Sequence, residues 1–564
     1  MKVRRPARKV EDHGMPLLHE MNAARNAQDA PSWWTPRRLS LLITSFLAVG
    51  VAARVTRYLL RFPLWEDEAA LAYNLMQRGF IELLAPLDFG QSAPIGYLWL
   101  QRGIVGVLGF SELSIRLSSL VMGLGSLFLF WRVAGLTLPR FAQLFAVSVF
   151  AVSYPMIRYS AEAKQYGTDL FLALCAAWFL LEATRSQRGW PWLWLMMLLA
   201  AFGPFLSHPF AFAGGAVSLL MLGDLWWKRT TPVTWASWIA YNVLLVSSFL
   251  AHLVLAHRAL GAGNADYLES FWSYTFPPVR AFWNLPAWFV ATHTGHFLAF
   301  PLGSGNGGST LTFLGVALGV IVWARQRRVS LLALALMPAF LHFVAAALHR
   351  FPYGGHVKFS MYWLPFACLL LGSGMATALA WLDRRRLAQP RGTLLALGLL
   401  ACIALGIMGR DFLSPTKTLS DQRSRDFVRW FWNSSAGEEV TVCLHTDLAR
   451  CFNEDWTGKP NWAVPYYCNL HIYSPRHARR QAPKWSEVSE SKPLRCVEYR
   501  LGEYAYDAGV QKAWLEDMQR RYDLVSHDHF PMPRMDKHER RHICTDYIEV
   551  YKFVPKSGLA LAQE

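Results

Sequence analysis

The chain has 564 residues, 53% of them hydrophobic and only 17% charged, against about 25% charged in an average soluble protein. It carries 56 Lys+Arg against 39 Asp+Glu, a formal net charge of +17, but residues 1–409 hold 50 charged groups while the last 155 residues hold 45. The first part is too apolar to face water and the second has the composition of an ordinary globular domain, which excludes disorder and a soluble fold for the whole chain.

Residues 1–38 form a basic N-terminus without a small-residue cleavage pattern, so the apolar run after it reads as a retained span and not a removed signal peptide. Runs able to cross about 30 Å of hydrocarbon as helices fall at about 39–58, 113–134, 141–156, 167–183, 191–206, 209–227, 234–256, 310–324, 330–348, 360–382 and 392–409. With the N-terminus cytoplasmic, the inside connections carry Arg132, Arg140, Arg185, Arg188, Lys228, Arg229, Arg325, Arg327, Arg328, Arg384, Arg385, Arg386 and Arg391. Those inside pieces hold 21 Lys+Arg against 7 Asp+Glu, whereas residues 410–564 hold 23 against 22. The surplus is therefore the positive-inside signal that orients a membrane protein, and nucleic acid drops out as a partner.

The expected architecture is a polytopic all-α membrane protein of about eleven transmembrane helices, residues 39–409, with long external loops at 59–112 and 257–309. An extracytoplasmic α/β domain follows over residues 410–564. Apolar Ala69, Ala72, Tyr73, Met76 and Phe80 follow helical spacing in the first loop and predict an amphipathic helix lying in the membrane interface. In the tail, DFVRWFWNS and VQKAWLEDMQRRYDLVSH read as helices, EEVTVCLHT and DYIEVYKFVP as strands. An odd span number places the tail outside. Its five cysteines, Cys443, Cys451, Cys468, Cys496 and Cys544, suit an oxidising compartment and one or two disulfides with a leftover thiol. Its histidines offer only HDH at 527–529, without the tight spacing of a zinc signature, so no metal site is assigned.

Chemistry concentrates where charge is otherwise scarce. Glu66, Asp67 and Glu68 open a helix just beyond the first span; the bland role is dipole complementation, the functional one a general base at the membrane surface. Glu162, Lys164 and Tyr166 sit at the outer edge of the fourth span, where snorkelling anchors are common. Arg116 lies near the outer start of the second span without an obvious partner. His208 occupies the turn between the fifth and sixth spans, and Arg350, Tyr353, His356 and Lys358 crowd the turn before the tenth. Ionisable groups gathered at one membrane face mark a functional site. A transporter is the alternative, although no two halves of the chain match.

WEDEAALAY, QSAPIGYLWLQR and GFSELSIRLSSLVMGLGSLFLFWRVA resemble the start of the GT-C glycosyltransferases, nearest the branch of protein O-mannosyltransferases and the lipid A aminoarabinose transferase. RYSAEAKQYGTDLFLAL resembles that family's Glu-x-Arg-x-Tyr segment with Lys164 in the Arg position, LSHPFAF its Ser-His-Tyr turn, and RFPYGGHVKFSMYWLPF its late loop before a Pro-containing span. The likeness covers roughly residues 40–380 and not the tail. It departs from the family at Arg116-Leu117-Ser118-Ser119 and at Ser92-Ala93-Pro94, where paired prolines are usual. It implies Asp67 as catalytic base, Glu68 as its neighbour, and a polyprenyl-phosphate sugar as donor. Arg116, Lys164, Arg350, His356 and Lys358 become the cations for the lipid phosphate, with Glu162, Tyr166, His208 and Tyr353 beside them. The acceptor is an envelope glycan, lipid or protein hydroxyl. No cofactor is required, though a divalent cation is compatible, and the setting is a bacterial inner or plasma membrane.

Overall fold

The computed structural model describes residues 16–26, 33–186, 189–226, 233–260, 270–303, 305–384, 391–434, 439–444, 463–474, 492–500, 508–535 and 542–556. Among them, a short helix α1 (Pro16–Asn26) precedes α2 (Pro36–Leu59), whose start is set by Thr35 accepting the Arg38 N–H at 3.3 Å and by Pro36 in the first turn. The first loop contains α3 (Glu66–Gln77) and α4 (Ile95–Leu108). Then come α5 (Leu117–Thr137), α6 (Arg140–Val152), α7 (Tyr154–Tyr159), α8 (Tyr166–Arg185), α9 (Trp190–Leu206), α10 (Phe210–Trp226) and α11 (Trp235–Leu260). Short α12 (Leu285–Thr292) leads to α13 (Gly308–Arg325), α14 (Val329–Ala347), α15 (Leu364–Arg384) and α16 (Arg391–Leu413).

Every apolar run read as a span is occupied by a helix. Among the described residues eight helices are long and apolar enough to cross a membrane, while α6, α9 and α10 are shorter. The third run breaks at Ser153 because Pro155 opens a new helix, α7, and the Tyr154 N–H leaves the ladder to bond Pro301 O at 2.7 Å. Pairs α2/α6, α5/α8, α6/α15, α9/α11 and α13/α15 build the bundle around one large core. Where α13 meets α15, Gly319 leaves no room for a Cβ against the Leu370 backbone carbonyl, the small-residue contact typical of membrane helices.

Beyond α16 lie α17 (Leu419–Asn433), β1 (Val440–Leu444), α18 (Ala463–Ile472), β2 (Leu494–Arg500), α19 (Ala508–Arg521), β3 (Tyr522–Met535) and β4 (His542–Pro555). The sheet order is β1-β2-β4-β3, with β1/β2 parallel and the other pairs antiparallel; Val497 faces Val550 across β2 and β4. Strands β1 and β4 and helix α17 fall where the sequence places them. The second helical stretch, however, turns to strand at Tyr522, so YDLVSH belongs to β3, where its side chains alternate between the sheet's faces. Cys468 is a buried free thiol on α18, so it forms none of the expected disulfides. Cys451 and the side chains of Cys443 and Cys544 lie outside the described residues.

The tail does not hang free. Phe427, Val428 and Phe431 of α17, Tyr466, Cys468, Leu470 and Ile472 of α18 and Ile548 and Val550 of β4 share one core with Ala69, Ala70, Ala72 and Tyr73 of α3. The part of the amphipathic face formed by Ala69, Ala72 and Tyr73 is thus buried beneath the tail, with Tyr73 only 3% exposed, while Met76 and Phe80 remain exposed. Arg425 donates to Arg61 O at 2.7 Å and Tyr473 donates to Glu112 at 2.6 Å, sealing the edge of this contact. At the opposite end of the connector, Arg57 of α2 pairs with Asp411 of α16 at 2.5 Å in a buried setting.

Gly319→Ala should separate α13 from α15 and destabilise the fold by about 1–3 kcal/mol, as overpacking does elsewhere; thermal unfolding in detergent measures it.

Candidate active site

Helix α3 begins without a side-chain cap, and its first turn carries Glu66, Asp67 and Glu68, whose charges complement the helix N-terminus. Successive helical residues point about 100° apart, and the three acids accordingly have three different surroundings.

Glu68 faces inward and is 1% exposed. Its two oxygens accept from Arg116 Nε at 2.8 Å and Nη2 at 2.6 Å, and Oε1 also accepts the Ala163 N–H at 2.6 Å. The remaining Arg116 donors reach Phe62 O at 2.7 Å and Pro63 O at 3.4 Å. Arg116 was expected as an unpartnered cation for phosphate; it is instead a buried guanidinium with its donors consumed by the frame. Glu68 is likewise the other half of that frame and not a second acid open to substrate.

Asp67 faces the opening, with 31% of its side chain accessible. Lys164 Nζ stands 3.7 Å from its carboxylate and donates to Gln91 at 2.9 Å. Burial disfavours the charged carboxylate, but Lys164, Lys358 and Lys417 together outweigh it and hold the Asp67 pKa below the usual carboxylate range. Glu66, burdened by burial and by the neighbouring Asp67 charge, moves the other way, to about 7.

Glu162 is clamped by Arg158 at 2.5 and 3.3 Å, and its carbonyl accepts from Ser119 at 2.6 Å, so it fixes the α7–α8 loop that carries Lys164. Tyr166 packs edge-to-face on Tyr159 with ring centroids 4.9 Å apart. Lys358 lies over Trp272 at 4.7 Å from the ring centroid. His356 accepts the Lys358 N–H at 3.1 Å and lines a cleft with Tyr154, Arg158, Tyr159 and His296. Burial and the surrounding cations lower its pKa to about 3, so it is neutral and not one of the expected cations.

Three expected residues sit elsewhere. Tyr353 is buried in an aromatic cluster, stacked on Phe297 at 4.5 Å and bonded to His293 at 3.2 Å. His208 meets His252 at 2.8 Å, and burial pulls its pKa to about 3. Arg350 is exposed at the end of α14. Conversely, Lys417 in the connector between α16 and α17 was not foreseen. Its Nζ lies 2.9 Å from the ring centroid of Trp65, the residue before the acidic turn. No short-range motif marks it, because it reaches Asp67 only through tertiary docking. Among the described residues no group of three His, Cys, Asp or Glu side chains is arranged to hold a metal ion.

Over 90% of this chain and 97% of that one, the fold matches the crystal structure of ArnT from Cupriavidus metallidurans bound to undecaprenyl phosphate, at 11% identity and a TM-score of 0.52. The apo form of the same protein matches with a TM-score of 0.50 over the same shares. The chain has the GT-C fold. Residues 92–254 also match the model of the dolichyl-phosphate-mannose-protein mannosyltransferase family. An oligosaccharyltransferase from Archaeoglobus fulgidus matches at 10% identity and a TM-score of 0.46, over 77% of this chain and 64% of that one. A search of curated proteins finds no match. The GT-C resemblance read from the acidic turn and the segments after it is matched at the level of the fold, and the chain is an integral membrane protein.

Glu68→Ala should leave Arg116 buried and uncompensated, costing about 3–5 kcal/mol, and adding Arg116→Met should recover part of the loss in thermal unfolding. Glu66 has a raised folded pKa, so its contribution to stability is full below pH 4.5 and lost as pH rises through about 7. Glu66→Gln should therefore flatten that part of the melting-temperature profile; an unchanged slope would show that other groups set it.

Proposed function

We propose that the protein is an inverting glycosyltransferase that moves a sugar from a polyprenyl-phosphate carrier to an acceptor hydroxyl at the outer membrane face. The observation that carries this reading is Asp67, an ionised and accessible carboxylate beside lysines at the mouth of a GT-C bundle. The positive-inside distribution supports the orientation. The neighbour bound to undecaprenyl phosphate supports the class of carrier.

The chemistry needs little else. The acceptor oxygen forms a bond to the anomeric carbon as the bond from that carbon to the phosphate oxygen breaks, and the departing electron pair goes to the phosphate. As the hydroxyl oxygen bonds to an oxocarbenium-like carbon its proton becomes acidic, and Asp67 takes it although the lysines have weakened it as a base. The phosphate leaves with an added negative charge, which Lys164 and Lys358 neutralise, so no general acid is called for. Glu68, Arg116, Glu162 and Arg158 hold the loops that present these groups. The acceptor is an envelope glycan, lipid or protein, in a bacterial cell envelope.

Asp67→Asn should keep the fold and lower transfer by at least about 10³-fold, the upper part of the range for a general base. Mass spectrometry of lipid-linked sugars and envelope glycans in cells carrying only that variant provides the readout. Accumulation of one polyprenyl-phosphate sugar with loss of one glycan is expected; a normal glycan profile would refute the mechanism.

A further inference from the structure

Two of the three lysines that act on Asp67 have no acid of their own. Lys164 has Asp67 and Gln91. Lys358 and Lys417 make no ion pair and no side-chain hydrogen bond among the described residues, only contacts with aromatic faces. For Lys417 the arrangement is the more demanding. The half-buried Lys417 side chain rests its ammonium on the Trp65 ring, and the Trp65 indole N–H is itself buried without an acceptor. A buried indole donor without an acceptor is unfavourable unless something else supplies the oxygen, and the ammonium beside it has no anion among the described residues.

The position of Lys417 is also tightly determined. On one side, the Arg57–Asp411 pair ties the end of α16 to α2. On the other, Thr418 and Asp421 form a capping box that starts α17 immediately after the lysine, and α17 packs into the core shared with α3. The connector is thus stretched between two fixed points, with Lys417 above the residue that precedes the acidic turn.

We propose that Lys417, delivered by the extracytoplasmic domain, is a phosphate-binding residue of the donor site, so that this domain completes the active site. The inference rests on the glycosyltransferase reading and deepens it. A donor phosphodiester carries one negative charge and the departing monoester carries up to two, so a second unpaired cation gains interaction as the carbon–oxygen bond breaks. The groups acting on Lys417 are Glu162, Arg158, Asp67 and Asp421; burial lowers its pKa to about 8, which leaves it charged at neutral pH.

The full-length protein in detergent is tested with undecaprenyl phosphate and, as the uncharged control, undecaprenol. Lys417→Met keeps the apolar stem over Trp65 and removes the charge; it should weaken binding of the phosphate by about tenfold or more, the effect of removing one member of a buried charge pair, and leave undecaprenol unchanged. Lys417→Arg should stay close to the unaltered protein, a rescue that a packing role would not show. In the unaltered protein, undecaprenyl phosphate and not undecaprenol should also protect Lys417 from an amine-acylating reagent, read by peptide mass spectrometry, which requires no variant to fold. Equal affinity of the Met variant and the unaltered protein, or no protection, would overturn the Lys417 assignment alone. An unaltered protein that binds the phosphate no better than the alcohol would overturn the carrier reading on which it rests.

Discussion

The candidate-site end of this protein depends on one buried ion pair. Glu68 and Arg116 meet through two short hydrogen bonds, and each also holds backbone from another segment: the Ala163 N–H on one side, Phe62 and Pro63 carbonyls on the other. The pair therefore joins the end of the first span, the acidic turn, the start of α5 and the α7–α8 loop. Such a pair adds little net stability because desolvating both charges offsets most of the attraction. It acts on geometry: with Glu68 pinned inward, helical spacing turns Asp67 toward the opening.

From that frame the electrostatics follow. Three neighbouring carboxylates on one turn would repel each other if all were charged and alike in setting. Burial and the adjacent charge raise Glu66, lysines lower Asp67, and Arg116 neutralises Glu68. One turn of helix thus supplies an acid raised to about 7, an ionised carboxylate and a structural anchor.

The tail and the bundle cannot be treated as independent units. The same core that stabilises the sheet covers the apolar face of α3, and the short connector between them brings Lys417 to Trp65. Covering α3 with protein also explains how a helix with apolar Tyr73 and Ala72 stands at the mouth of the site without binding lipid along that face.

Hydropathy located all eight of the described helices that are long and apolar enough to cross a membrane, because a segment that crosses hydrocarbon must satisfy its own backbone and be apolar along its length. The acidic turn was legible for a similar local reason: three acids directly after a span have few structural uses. Partner choice was not legible. Arg116 looked unpaired because its carboxylate lies 48 residues away in sequence, and His356 and Tyr353 looked alike as polar residues of one turn. Only the packing made one of them line the cleft and buried the other among aromatic rings. Lys417 carried no signal at all, since a lysine in a soluble-looking tail is ordinary. Local periodicity and composition determine which segments enter the membrane; which charges meet is decided by long-range docking.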